Sequence, residues 1–390
     1  MPDEHARLSA SGSKKWLNCP ASVSMEEKFP DTSSEYAAEG TIAHYLGELK
    51  ICKAIKLISR VQYHKEEDKL NADTDMQEYT DAYKDFVIER YNSVNSKCQS
   101  TALYVEHRLD FSDYVPGGFG TGDVVIVGNG MLEIIDLKYG KGIKVSAYEN
   151  SQLMLYALGA LAEFDWLYDI NNIHLTIFQP RIDNIDTFET NSVSLLDWGK
   201  WVRSRAEMAC SENPACVAGK HCDDGFCKAR PVCRVYNEEK LKLASLDFKK
   251  PNELTDEEIA EIIDISDSIS KWAKTVYDYA LDRALNHDVK YPGFKLVEGR
   301  SNRTYTDENK VAAKILENTS FTEDNIYIKK LRGISDMEKL MGKKQFNTVL
   351  EGLIIKPQGK PTLVNSDDKR PELNTTANAA EDFKNILKGD

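Results

Sequence analysis

Residues 120–138 read GTGDVVIVGNGMLEIIDLK. Two runs rich in valine and isoleucine flank Asn129-Gly130, a dipeptide that strongly favours tight β-hairpins. With those two residues as the loop, Gly128 faces Met131, and counting back along both strands sets Asp123 against Asp136. Like charges directly opposed on a sheet destabilise it. Alternation also places Leu132, Ile134, Asp136 and Lys138 on one face. Two acids and an ammonium group thus converge among apolar neighbours, where carboxylates need a cation or a proton to be tolerated. A hard divalent ion such as Mg²⁺ or Mn²⁺ takes carboxylate oxygens and keeps waters for a substrate. A lysine two residues from such a carboxylate can orient an attacking water and offset phosphate charge. In the alternative, Asp123 caps a turn, Asp136 ends a strand and Lys138 neutralises it.

Outward from the hairpin, strand-like runs cover 102–111, 172–179 and 186–194. Apolar positions three and four apart predict helices over 35–58, 75–96, 149–163 and 195–211. The order predicts an α/β fold, a mixed central sheet flanked by helices. A mainly helical part follows. There Thr255 and Glu258 form a capping box, and Ile259, Ile262, Ile263, Ile269, Trp272 and Val276 keep helical spacing to about residue 286. YPGFKLVEGRSNRTY (291–305) reads as extended, and short helices bearing Lys329, Lys330, Lys339, Lys343 and Lys344 come after it. Residues 364–383 are polar and turn-rich.

Composition bounds the function. The 390 residues suggest two or three domains at roughly 150 residues each. Hydrophobic residues make up 41%, enough for a large core and too many for a disordered chain. The 50 basic and 63 acidic residues leave a net charge of −13, so any contact with DNA must come from local basic patches. The longest apolar run, Leu153 to Ala162, is half of what a membrane span needs. The opening MPDEHARLSA has no apolar signal core, which leads us to expect a cytoplasmic protein with no membrane partner.

Asp123, followed after twelve residues by Asp136-Leu137-Lys138, resembles the signature of PD-(D/E)XK nucleases. The wider string GTGDVVIV…LEIIDLKYGKGIKV…NSQLMLYALGAL is similar to the RecB-type branch. That branch carries a Gln-x-x-x-Tyr motif on the next helix, matched by Gln152 and Tyr156, and a histidine after Glu-Gly on an early helix, matched by Glu39-Gly40-Thr-Ile-Ala-His44. The resemblance implies a restriction-endonuclease-like core. It also implies that His44, Asp123, Asp136 and the Leu137 carbonyl bind the metal. Lys138 then serves catalysis, with Gln152 and Tyr156 at the active site or on DNA. Glu48, one helical turn beyond His44, is a further ligand or a partner of one, and Glu106 is a weaker candidate.

Five of the eight cysteines (Cys210, Cys216, Cys222, Cys227, Cys233) fall within 24 residues, a pattern read as metal ligation in a reducing compartment. Cys222, Cys227 and Cys233 need a fourth partner to close a tetrahedral zinc or 4Fe–4S site. A subset of RecB-type nucleases, including CRISPR-adaptation and AddB-like enzymes, holds a 4Fe–4S cluster with one cysteine before the core and three after it. The resemblance therefore implies Cys19, Cys222, Cys227 and Cys233 as cluster ligands, stapling the two ends together. The usual trio has two residues in its first gap, and this chain has four. Cys210 or Cys216 can then substitute, or a zinc can sit among the clustered cysteines, with His221 as one ligand. Cys52 and Cys98 are read as buried helical thiols.

Together these features predict a nuclease domain over 1–240 closed by the cysteine site, an accessory α+β domain over 250–363 and a flexible tail over 364–390. EGRSNR and KPTLV…DDKRPE add a resemblance to a phage-associated, uncharacterised family. The expected activity is metal-dependent hydrolysis of DNA, as an exonuclease on ends or single strands during replication or recombination. DNA is the expected partner, together with a single-strand-binding protein, recombinase or helicase. The rival is a non-catalytic DNA- or protein-binding module of a recombination complex that keeps the fold as scaffold.

Overall fold

A computed structural model describes residues 6–30, 35–70, 72–98, 100–140, 142–244, 255–297, 307–318, 322–327, 331–350 and 353–354. Its centre is one five-stranded sheet in the order β1 (Thr101–Asp110), β2 (Phe119–Gly128), β3 (Met131–Leu137), β4 (Asn172–Gln179) and β5 (Asn184–Asn191). β1, β2 and β3 form an antiparallel meander, β3 and β4 run parallel, and β5 returns antiparallel. The parallel step needs a crossover, and the helix Ser151–Tyr168 supplies it. The fold is α/β with flanking helices, as the periodicity predicts.

The hairpin register is the one counted from Asn129-Gly130. Gly128 pairs with Met131, and pairing continues to Val124 opposite Ile135. Gly130 supplies the positive φ of the turn, +78°, which costs a residue without a Cβ little. β2 and β3 are covered on both faces, which is why their sequence is an almost unbroken apolar run. Val125, Val127, Leu132 and Ile134 pack against Leu153, Ala157 and Leu161 of the crossover helix. That helix is buried nearly all round, and the Asn150 side chain caps it by accepting from the Gln152 and Leu153 amides. On the other face, Val124, Ile126, Ile135 and Leu137 meet Ile51 from the helix Glu35–Ala54 and Tyr83 and Val87 from the helix Thr74–Lys97.

One charged side chain breaks this apolar pattern. Glu133, fully buried on β3, accepts a hydrogen bond from Arg90 Nε at 2.7 Å, and Arg90 also lies 3.2 Å from His174 Nδ1. The Glu133 Oε2 atom has no hydrogen-bond partner. The pair joins the Thr74–Lys97 helix to the sheet at the end opposite Asp136.

Gly120 on β2 lies against Tyr156, and a Cβ there would stand 2.7 Å from the ring. Tyr156 is packed in the core and cannot swing away. We expect Gly120→Ala to cost about 1–3 kcal/mol through overpacking, read as a lower urea midpoint at unchanged slope. A midpoint equal to wild type would show that the ring accommodates the methyl group.

The sequence boundaries hold with small shifts. The predicted 35–58 helix ends at Ala54, and Lys56 beyond it adopts φ +64°. Thr255 and Glu258 form the expected capping box, and the helix Asp256–Asn286 ends where its periodicity does. Contacts divide the chain into Met1–Arg283 and Ala284–Asp390. Most of that long helix therefore lies in the first unit, beyond the boundary near 250 read from the sequence. Lys240 Nζ donates to Ser268 Oγ and Trp272 Nε1 to Asn237 Oδ1, contacts between residues far apart in sequence that composition does not signal. In the second unit the described residues form short helices, among them Glu308–Asn318, Ile334–Met341 and Lys343–Val349. The tail 364–390, EGRSNR, Lys329, Lys330 and the KPTLV…DDKRPE segment lie outside the described residues. No described helix is long and apolar enough to cross a membrane.

Candidate functional site

The two pairings of β2 bring three carboxylates into one row. Val105 pairs with Val124 and His107 with Gly122, so Glu106 stands opposite Asp123. The β2–β3 register sets Asp123 in turn opposite Asp136. At this row both ladders lapse. In place of a ladder bond, the Leu137 amide donates to Asp123 Oδ2 at 2.7 Å. The left-handed backbone of Glu106 interrupts one ladder, and the Asp123 carboxylate takes the backbone donor of the other. Strand alternation puts Asp136 on the face of Leu132 and Ile134, whereas Asp123 lines a small pocket with His44, Ile51 and Tyr83.

Asp136 is buried, and two oxygens of different character result. Its Oδ1 accepts from Gln152 Nε2 at 3.1 Å. Its Oδ2 forms a close ion pair with Lys138 Nζ at 2.8 Å but has no directed hydrogen bond, so it is paired in charge and open to a further donor or cation. Burial pushes the Asp136 carboxyl up, with Lys138 opposing. Burial works against the Lys138 charge, but Asp136 and Asp123 outweigh it and hold the ammonium above its ordinary range. Lys138 Nζ also donates to Gln152 Oε1 at 3.1 Å. Gln152 Nε2 reaches the Tyr156 hydroxyl at 3.2 Å as well. Gln152 thus grips both members of the Asp136–Lys138 pair from the first turn of its helix.

His44 approaches from the Glu35–Ala54 helix, its Nδ1 3.3 Å from Asp123 Oδ2. Burial opposes its charge, but the Asp123 carboxylate outweighs burial and raises His44 to about 9. The helix start is fastened by Arg181, whose Nη1 donates to Glu39 at 2.8 Å while its guanidinium covers the Tyr139 ring. The Glu39 of the Glu-Gly-x-x-x-His string thus has a positioning contact.

Among the described residues, one group offers three ligand atoms within 4.8 Å of one another: His44, Glu106 and Asp123. Asp136 falls outside this compact set, joined to it through the Leu137 amide and the Lys138 charge. Glu106, the weaker sequence candidate, falls inside it. Its backbone is left-handed, φ +48°, and Val105 and Glu106 line the same small pocket with Glu48 and Tyr83. Regular alternation would part adjacent residues, and the turn at Glu106 brings them together. Burial, then the Asp123 charge, pushes Glu106 up to about 7. Burial also raises Glu48. The Leu137 amide is committed to Asp123, while the role read for its carbonyl stays an expectation.

Five cysteines border one cavity. Cys19, Cys216, Cys222, Cys227 and Cys233 line one mostly apolar cavity with Met25, Val217, Ala229 and Tyr236. His221 also borders it, its Nε2 2.9 Å from the Val217 carbonyl oxygen. Backbone and side-chain contacts join residues 17–26 to the segment 205–228 here. Ala21 donates to the Ala215 carbonyl, Arg205 Nε to the Leu17 carbonyl, and Glu26 receives both Lys15 and the Lys228 amide. Cys210 is exposed and lies outside the cavity lining. Cys52 and Cys98 are half-buried, and Cys98 closes the Thr74–Lys97 helix instead of lying within it.

The fold and these sites define an α/β protein with a carboxylate–lysine–histidine centre at one end of its sheet and a thiol-lined cavity. A family described as proteins of unknown function, DUF2800, matches residues 5–371, and the chain belongs to that family. Among solved structures, one titled "Crystal structure of SSO0001" shares 13% identity over 58% of this chain and 86% of that chain, with a TM-score of 0.27.

Proposed function

We propose that the protein is a divalent-metal-dependent deoxyribonuclease of the RecB-type PD-(D/E)XK class, with an exonuclease mode implied by the resemblance. The observation that carries this reading is the carboxylate row Glu106–Asp123–Asp136 beside Lys138, with the buried Asp136 Oδ2 lacking a hydrogen-bond donor. Such a row is tolerable when a hard cation shares its charge, and oxygen and imidazole donors suit Mg²⁺ or Mn²⁺. Asp123, Asp136 and His44 would hold the ion, Glu106 adds an oxygen within reach, and the Leu137 carbonyl keeps its expected part. When bound, the ion supplies an acidified water and offsets phosphodiester charge. Lys138 remains an ammonium and donates toward the attacking water or a phosphate oxygen. Gln152 holds Lys138 and Asp136 at a fixed spacing, and Tyr156 backs Gln152.

The thiol-lined cavity, where Cys19 from before the sheet meets Cys216, Cys222, Cys227 and Cys233 from after it, supports a 4Fe–4S cluster over zinc. Its role in our reading is structural, tying the first residues to the segment after the core.

The test is to incubate purified protein with end-labelled single-stranded, double-stranded and flapped DNA, with Mg²⁺ or Mn²⁺ or with chelator. We expect cleavage with the ions alone. Binding without cleavage under every condition would favour the non-catalytic module. Gln152→Leu keeps the volume and removes both polar grips, and we expect kcat to fall on the order of tenfold to a hundredfold with KM little changed. A change confined to KM would instead place Gln152 on the DNA.

A further inference from the structure

The connection between β3 and the crossover helix starts at Lys138 and ends two residues before Gln152, so both of its ends belong to the site. Residues 138–148, KYGKGIKVSAY, carry three lysines and no acid in a chain of net charge −13. On the way the chain reaches the β4–β5 edge of the sheet, where side chains hold its backbone. The buried Gln179 accepts from the Val145 amide through Oε1 at 2.7 Å and donates from Nε2 to the Ile143 carbonyl at 3.1 Å. The buried Asn184 donates from Nδ2 to the Val145 carbonyl at 2.9 Å and to Gln179 Oε1 at 2.8 Å. Asp186 Oδ2 accepts from Ser146 Oγ and from the Ala147 amide, both at 2.8 Å. Ser146 Oγ in turn accepts from the Tyr148 amide at 3.2 Å.

The side chains on this fixed backbone point the other way. Ile143 is 63% exposed, Tyr148 is 67% exposed, and Lys144 is exposed between them. The Tyr148 ring makes a T-shaped contact with Phe188, centroids 5.1 Å apart, which steadies it while most of the ring stays open to solvent. The sheet sets how far this is from the carboxylates. Asp136 pairs with Ile177 and Ile177 with Asp186, so Asp186 stands two strand spacings, roughly 10 Å, from Asp136. An aromatic ring on a backbone already held in place loses little further freedom when a ligand covers it.

We propose that this connection is a stacking platform for an unpaired DNA strand, Tyr148 covering the face of a base near the scissile phosphate and Lys144 meeting a neighbouring phosphate. Stacking on an aromatic ring needs a free base face, which the interior of a duplex does not offer, and lysines without an intervening acid match the strand's charge. The proposal rests on DNA as the substrate and deepens that reading: it makes the platform the source of a preference for single strands.

The experiment measures fluorescence anisotropy of dye-labelled single-stranded and duplex DNA of equal length with the full-length protein in chelator, where binding is read without cleavage. Tyr148→Ala should weaken single-strand binding roughly fivefold to a hundredfold, the range for one base–aromatic stack, and leave duplex binding unchanged. Tyr148→Phe keeps the ring and should bind as wild type. Lys144→Ala should weaken binding and flatten the slope of log affinity against log salt by about 0.7. A strand carrying 5-iodouracil should photocrosslink to Tyr148 of the wild type, located by mass spectrometry, a readout that needs no variant to fold. Wild-type affinity in Tyr148→Ala, equal losses on single strand and duplex, crosslinks only at other residues, or a wild type that binds no single strand overturns the platform. Cleavage is scored separately. A wild type that grips single strands through Tyr148 and never cuts them removes the nuclease reading and keeps the platform, while cutting with Tyr148→Ala affinity intact does the reverse.

Discussion

Asp136→Asn is expected to lower kcat for metal-dependent DNA cleavage by at least the order of 10²–10³ that a single lost transition-state stabiliser costs, with the protein still folded. The substitution keeps the shape of the side chain and the Oδ1 contact to Gln152, and removes the charge at Oδ2, a buried oxygen that has no hydrogen-bond donor. Lys138→Met should do comparable damage for a complementary reason: it keeps the stem and deletes the ammonium that lies 2.8 Å from that oxygen. The two losses should be far from additive, because the residues act as one unit. The measurement is single-turnover cleavage of end-labelled DNA in Mn²⁺ or Mg²⁺, with circular dichroism confirming the fold. Robust cleavage by the double variant would remove the assignment of this row as the reacting centre.

The largest effect on stability is expected far from that site. Arg90→Ala should cost about 3 kcal/mol, the low end of the range for breaking a buried ion pair, since Arg90 is itself about a third exposed. Glu133 is fully buried, so losing Arg90 strands a buried charge. Replacing both partners, Arg90→Met with Glu133→Leu, should recover most of the loss, because two apolar groups of similar volume need no pairing. Urea titration of the three variants at constant slope decides it. If Arg90→Ala unfolds at the wild-type midpoint, or the double variant is worse than the single, the pair does not carry the charge balance described here.

How far the site could be read in advance follows from which contacts are local. Asp123 and Asp136 are thirteen positions apart, joined by a two-residue turn whose chemistry sets the register, so their opposition is visible in the letters. Glu106 joins the same row only through the β1–β2 register, set across the longer connection 111–118, and through a left-handed backbone that a glutamate seldom adopts. Its glutamate in a strand pattern was the sole signal. Glu133 stands between apolar neighbours in the sequence, and its partner lies forty-three residues upstream on another element. The cysteine spacing is what led us to expect a metal site. That Cys216 enters the cavity beside Cys233 depends on how the 211–219 loop closes against the N-terminal segment.

By itself the amino-acid order determined the hairpin, the alternation that puts Asp136 and Lys138 together, and the helices and their caps. These follow from short-range sterics and from the two- and 3.6-residue periods of the backbone. Only the tertiary structure decided which carboxylate completes the compact ligand group, which base balances the buried Glu133, and which thiols meet. Those outcomes depend on contacts between segments tens to hundreds of residues apart, whose geometry is settled by the packing of whole helices on the sheet and leaves no periodic mark in the sequence.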